Sequence, residues 1–215
     1  MLKDRRQAGK LLAKKLTSFK NKSDAIVLGI TRGGIVVAKE ISVRLNLPLD
    51  IIVIKKIGAP QNPELAIGAI GPSKVVFWDE NLIRRLNIDK KYKNRLKKIK
   101  NSELTELENF LRKGRFGRLT ASKPLGVKNK KIILVDDGVA TGATVLCAIK
   151  FFRKEKSKEV ILAVPVIAKD TFLGIKKYFD TVVALQVEEE LYAIGQFYRE
   201  FNQVDNDEVA DLLTK

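Results

Sequence analysis

The chain has 215 residues, a hydrophobic fraction of 45% and a formal net charge of +16, from 41 Lys and Arg against 25 Asp and Glu. That length and apolar content suit a single domain with a full core and exclude a disordered chain. One cysteine excludes an internal disulfide, and the absence of histidine removes the usual zinc sites and every His-based triad, which leaves carboxylates, hydroxyls, backbone amides and cations for any chemistry.

In chain order, Ala8, Leu11, Leu12, Leu16 and Phe19 fall on one face of an opening helix whose other face carries lysines. MLKDRRQAGK has no apolar block of a secretory signal, and the longest apolar runs fall short of the roughly 20 residues of a membrane helix; both point to a cytoplasmic protein. AIVLGI (25–30) reads as a buried strand, TRGG as a turn, IVVAKEISVRL (35–45) as a helix and DIIVIKK (50–56) as a second strand. Strand, helix and strand in that order predict a parallel sheet. GAPQNP (58–63) is a breaker, because residues before proline are pushed toward extended geometry, and LAIGAIGPSKVVFWD (65–79) reads as a hairpin around Gly71 and Pro72.

Residues 80–113 read as polar helix, the least core-like stretch, running into the flexible-looking KGRFGR (113–118). Strand 132–135 follows, then a small-residue loop, a helix from about Thr141 to Arg153, strand VILAVPVIA (160–168), a helix near 169–178 and strand TVVALQV (181–187). The whole predicts one doubly wound α/β domain over 1–215, a mostly parallel sheet flanked by helices, with a basic helical insertion at about 80–118 and a C-terminal hood or tail at about 188–215. Ligands of such folds collect beyond the carboxyl ends of the strands.

The charge excess is local. Residues 1–23 hold 8 basic and 1 acidic side chains, residues 84–118 hold 13 and 4, and all other positions cancel. Two such fields attract polyanions: nucleic acid, an anionic surface or a highly phosphorylated small molecule. Solvated helix faces give the same composition.

The most informative stretch is IILVDDGVATGAT (132–144), where four aliphatic residues run into two carboxylates and then into a loop of small residues. Asp136 and Asp137 cannot lose water without partners. Gly138, Ala140, Gly142 and Ala143 keep side chains off the backbone, Thr141 and Thr144 add hydroxyls, and amides at a helix start bind phosphate. A sugar phosphate meets both demands, with its hydroxyls on the acids and its phosphate on the loop. The stretch lacks the lysine of a Walker loop, and no GxGxxG occurs in the chain.

IILVDDGVATGAT resembles the diphosphoribosyl-binding motif of type I phosphoribosyltransferases. LGITRGGIVVAKEI, VIKKIGAPQNPELAIGAI and LYAIGQFYREF are similar to a subgroup of functionally unassigned members of that family, so the resemblance covers most of the chain. It implies transfer of a phosphoribosyl group from phosphoribosyl pyrophosphate to a nitrogenous acceptor, such as a nucleobase, with release of pyrophosphate. It implies that Asp136 and Asp137 hold the ribose 2- and 3-hydroxyls and that Gly138, Val139, Ala140, Thr141, Gly142, Ala143 and Thr144 surround the 5-phosphate. Thr31, Arg32, Gly33 and Gly34 match the pyrophosphate loop, which often carries a non-proline cis peptide; Thr31 stands where the subgroup usually has proline. Lys55 is expected to reach pyrophosphate, with Lys56 as its exposed neighbour. Arg32, Lys55 and Asp137 are the candidate catalytic residues, Asp137 also as a base for an acceptor N–H. Mg²⁺ is implied as cofactor, held by donor phosphates and ribose hydroxyls and through water by Asp136 and Asp137. A homodimer is compatible with the family, and so is a regulator that keeps the ligand site and binds RNA or DNA through its basic segments. Tyr192, Phe197 and Tyr198 occupy the region of the acceptor hood, where aromatics either stack on the acceptor or pin the tail to the core.

Overall fold

A computed structural model describes residues 1–113 and 126–214, so KGRFGR beyond its first residue lies outside the described residues. In chain order the elements are α1 (Arg5–Lys15), β1 (Ala25–Ile30), α2 (Gly33–Leu45), β2 (Leu49–Ile52), β3 (Lys55–Gly58), β4 (Ala66–Ile70), β5 (Val76–Trp78), α3 (Glu80–Arg85), α4 (Lys90–Lys113), β6 (Lys131–Val135), α5 (Ala143–Lys154), β7 (Glu159–Ala168), α6 (Lys169–Ile175), β8 (Thr181–Glu188) and α7 (Asn206–Thr214).

Five parallel strands form the main sheet in the order β2-β1-β6-β7-β8. Both faces are covered, which is why β1 and β6 read as continuous apolar runs rather than as alternating ones. Along each strand successive side chains point to opposite faces. Val27, Ile133, Ile161 and Ala163 meet a layer containing Leu12 of α1, Ile35 of α2, Leu111 of α4 and Val209 of α7. Ile26, Leu28, Ile132 and Leu134 meet Val145, Cys147 and Phe152 of α5 and Ile175 of α6. The doubly wound fold expected from the order of elements is thus observed.

DIIVIKK, expected as one strand, serves two sheets. β2 ends at Ile52, the buried Val53 and Ile54 cross over, and Lys55 opens an antiparallel sheet of β3, β4 and β5. An unbroken apolar run carries no signal for a change of sheet, because every residue in it is buried either way. The hairpin around Gly71 and Pro72 forms as expected and packs on α5. Leu11, assigned to the apolar face of α1, is 36% exposed, while Ala8, Leu12 and Leu16 are fully buried.

The polar helix α4 is better anchored than its composition suggests. Leu104 and Leu111 of α4 are buried beside β3 and α7, and Arg112 Nη1 lies 3.4 Å from Oδ1 of Asp50, a buried carboxylate on β2. Its lysines gather in the first half of the helix, where Lys90, Lys91, Arg95, Lys97 and Lys98 are exposed.

Candidate active site

β1 and β6 are adjacent and parallel, so the turn after one and the loop after the other open on a single crevice at their carboxyl ends. The loop after β6 is fixed from its far side. Val139 N–H donates to the Val166 carbonyl and the Val139 carbonyl accepts from Ala168 N–H, which extends the pairing with β7 past the end of β6. The Thr171 hydroxyl, from α6, donates to the Ala140 carbonyl. Gly142 takes a φ of 77°, a left-handed conformation that glycine adopts without penalty, and this turn brings the chain into α5. The first amides of α5 have no carbonyl partner within the helix and face outward at its positive end.

A cavity of about 650 Å³ fills the crevice. Thr31, Arg32, Gly33, Asp136, Asp137, Gly138, Val139, Ala140, Thr141, Gly142 and Thr144 line it. Gly34 and Ala143 are buried within the first turns of α2 and α5. The Thr31–Arg32 peptide is cis, so the expected feature of this turn is present with threonine in place of proline. Lys56 is exposed, as expected, and lines this cavity, whereas the half-buried Lys55 lines an adjoining one of about 620 Å³. Thr31 and Arg32 border both, and the second is also lined by Glu103, Glu106 and Phe110 of α4 and Asn206 of α7. The reason is the alternation of β3, which sends adjacent side chains to opposite faces. Thr31 Oγ1 is buried without a partner on the shared wall.

The two acids stand in different surroundings. Burial first, and the charge of Asp137 second, hold the Asp136 carboxyl well above its ordinary range, although Lys56 acts in the opposite sense; Asp136 Oδ1 accepts the Asp137 N–H at 2.9 Å. Asp137 is paired: Arg5 Nε donates to its Oδ2 at 2.7 Å. A β-carbon on Gly33 would lie 1.9 Å from that oxygen, so this turn passes directly against the carboxylate. The Tyr198 hydroxyl donates to the Asp137 carbonyl at 2.7 Å. Burial and then the Asp137 charge raise that phenol above its ordinary range, which keeps it a neutral donor.

The aromatics expected at a hood divide by residue. Tyr198 is buried, stacks on Phe201 and packs with Leu2 and Ala8, so it pins the tail to the core. Tyr192 is 83% exposed at the cavity mouth beside Leu191 and Ile194. Of GAPQNPELAIGA, Glu64 lines the cavity, and Asn62 Oδ1 accepts the Glu64 N–H at 3.2 Å. Sequence reasoning missed Arg5, Lys56 and Glu64. For Arg5 the sole sequence signal was the pair of glycines opposite the acids, which announces a close approach without naming what approaches.

Fold and cavity together define a type I phosphoribosyltransferase architecture. The chain belongs to the phosphoribosyl transferase domain family, whose model matches residues 2–192. It is similar to TT1426 from Thermus thermophilus, at 34% identity and a TM-score of 0.80, over 100% of this chain and 98% of that one. At 14% identity and a TM-score of 0.53, over 89% of this chain and 78% of that one, the AQ2163 protein from Aquifex aeolicus shares the fold. "Putative phosphoribosyl transferase Rv0571c" of Mycobacterium tuberculosis is 35% identical over 99% of this chain. The chain spans 46% of that protein, about half the length of the curated relatives it matches.

Proposed function

We propose that the chain transfers a phosphoribosyl group from phosphoribosyl pyrophosphate to a nitrogenous acceptor, with release of pyrophosphate. One observation carries this reading: a helix-start loop, an acid pair and a cation-bearing turn share a cavity of about 650 Å³. The amides and hydroxyls of Gly138–Thr144 take the 5-phosphate, Asp136 and Asp137 take the ribose hydroxyls, and Thr31–Gly34 with Lys56 receives pyrophosphate. Lys55 approaches the same turn from the adjoining cavity. As the bond from C1 to pyrophosphate stretches, negative charge grows on the leaving group, and Arg32 and the lysines are fixed cations on that side. No protein nucleophile takes part.

The oxygen-only donors of the cavity, carboxylates and hydroxyls, fit a hard cation such as Mg²⁺ carried by the donor's own oxygens, with water linking it to Asp136 and Asp137. When bound, the ion offsets charge on the departing pyrophosphate. Tyr192 offers an aromatic face at the cavity mouth for a flat acceptor. Incubation with the donor, Mg²⁺ and a pool of nitrogenous bases, followed by mass spectrometry, tests the reading: a base-linked ribose phosphate is expected. Failure of the donor to bind by calorimetry overturns it.

A second reading, a donor-sensing regulator that binds RNA or DNA, is favoured by the exposed cations along the first half of α4. It requires RNA binding that weakens steeply with salt and no product from any base.

A further inference from the structure

Arg5 lies far in sequence from the acid pair, yet its guanidinium is committed to it. Nε donates to Asp137 Oδ2 at 2.7 Å, Nη1 donates to the Asn202 carbonyl at 2.7 Å, and the guanidinium carbon sits 3.8 Å from the Phe201 ring centroid. The two charged side chains are only 11% and 16% exposed, so solvent screens this pair far less than a surface pair. A β-carbon on Gly33 would meet both members, Asp137 Oδ2 at 1.9 Å and Arg5 Nε at 2.9 Å. The ion pair therefore fills the space between the loop after β6 and the turn after β1.

The segment that carries Arg5 is tied down on both sides. Leu2 N–H donates to the Phe197 carbonyl, and the Leu2 and Lys3 carbonyls accept from Arg199 and Glu200. Asp4 caps α1 through the Gln7 N–H. With the Tyr198 hydroxyl on the Asp137 carbonyl, the first residues and the C-terminal tail converge on one acid of the pair.

We propose that Arg5 is a positioning residue for the ribose end of the donor site: by engaging Oδ2 it fixes the rotamer of Asp137 and leaves the other oxygen as the one that accepts a ribose hydroxyl. This inference rests on the donor-site reading above. Lysine is no substitute, because one planar group makes two directed donations and a ring contact at once.

The test is titration calorimetry of the Mg²⁺ complex of phosphoribosyl pyrophosphate into wild type, Arg5→Gln, Asp137→Ala and the double variant, with thermal melts of each. Arg5→Gln is expected to weaken donor binding about tenfold, the scale of a lost hydrogen bond to a charged group. In the Asp137→Ala background, which leaves Arg5 no side-chain acceptor at this position, the same change is expected to alter Kd by less than about twofold, because residues that act through one another are not additive. A purely structural Arg5 gives equal losses in both backgrounds and overturns the proposal, as does unchanged affinity in Arg5→Gln. If that variant melts below the working temperature, Arg5→Lys replaces it, with a severalfold loss expected and unchanged affinity overturning the inference. Wild-type protein that does not bind the donor removes the donor-site reading and this inference with it; a binding wild type with an unaffected Arg5 variant removes the inference alone.

Discussion

Gly33→Ala tests whether the acid pair and the turn after β1 are held together by contact. Gly33 opens α2 and is not among the residues with a left-handed φ, so alanine suits its backbone and gains at most about 1 kcal/mol in helix propensity. Against that gain, the new methyl would stand 1.9 Å from Asp137 Oδ2, far inside the 3.4 Å of an ordinary contact. Aspartate is short, so the carboxylate yields by rotating, and what is lost is its bond to Arg5, about 1.5–3 kcal/mol for a hydrogen bond between charged groups. With the full propensity gain the net cost is about 0.5–2 kcal/mol, which for a chain of this size lowers the melting temperature by roughly 1–8 °C. Scanning calorimetry at neutral pH measures it. In an Asp137→Ala background only Arg5 Nε, 2.9 Å from the new methyl, still stands in the way, and a long side chain released from its carboxylate yields readily, so Gly33→Ala should cost much less than in the native chain. A fall of the same size in both backgrounds, or a rise in the otherwise native chain, refutes the reasoning.

Asp136→Asn should stabilise the fold near pH 7 and weaken donor binding. The folded chain keeps the Asp136 proton above the pH near 3.9 at which the unfolded chain loses it, so the cost of ionising this half-buried carboxyl beside Asp137 is absent in acid and grows as pH rises toward the folded value. Asparagine keeps an oxygen for the Asp137 N–H; melts across pH should show a gain at neutrality that shrinks toward pH 4, and a gain independent of pH sinks the assignment. Cys147 is fully buried under the β4–β5 hairpin, and desolvation pushes its thiol up to about 12, so a thiol reagent at pH 8 should label it only as fast as the protein opens. Rapid stoichiometric labelling of native protein contradicts that burial.

The β1 turn and the loop after β6 were legible because their chemistry is local: apolar residues end, carboxylates or glycines begin, and a helix follows within a few positions. The doubly wound order was legible for the same reason, since each strand and helix announces its own period. What escaped reading depends on tertiary register. Lys55 and Lys56 are indistinguishable as letters, and only the start of β3 at Lys55 decides which side chain faces which cavity. Arg5 sits among eight basic residues in the first 23, and nothing local separates the one that meets Asp137 from those that meet water. α4 read as polar because its buried residues, Leu104 and Leu111, are few and fall in its second half, after a run of lysines.

That division of α4 bears on which function its charge serves. Glu106 and Phe110 border the cavity next to Arg32 and Lys55, while Lys90 and Lys91 stand at the start of the helix. From Lys91 to Glu106 is 15 residues, about 22 Å along the axis at 1.5 Å per residue. The Debye length at physiological ionic strength is about 8 Å, so exposed charge at the helix start contributes little to the field where Glu106 and Phe110 border that adjoining cavity. Under the proposed function a donor at the acid pair is held by Arg32 and the β3 lysines, and a polyanion on the first half of α4 occupies separate ground. Lys90→Glu with Lys91→Glu makes this testable without harming the helix, because acids suit its N-terminal turn. At about 0.15 M salt the double variant should keep donor affinity within about twofold, as expected for distant exposed sites. It should lose part of any RNA affinity and flatten its salt dependence by up to about one unit of slope per lysine that touches a phosphate. A severalfold loss of donor binding would mean that the basic half of α4 reaches the cavity, and the separation argued from helix length would fail.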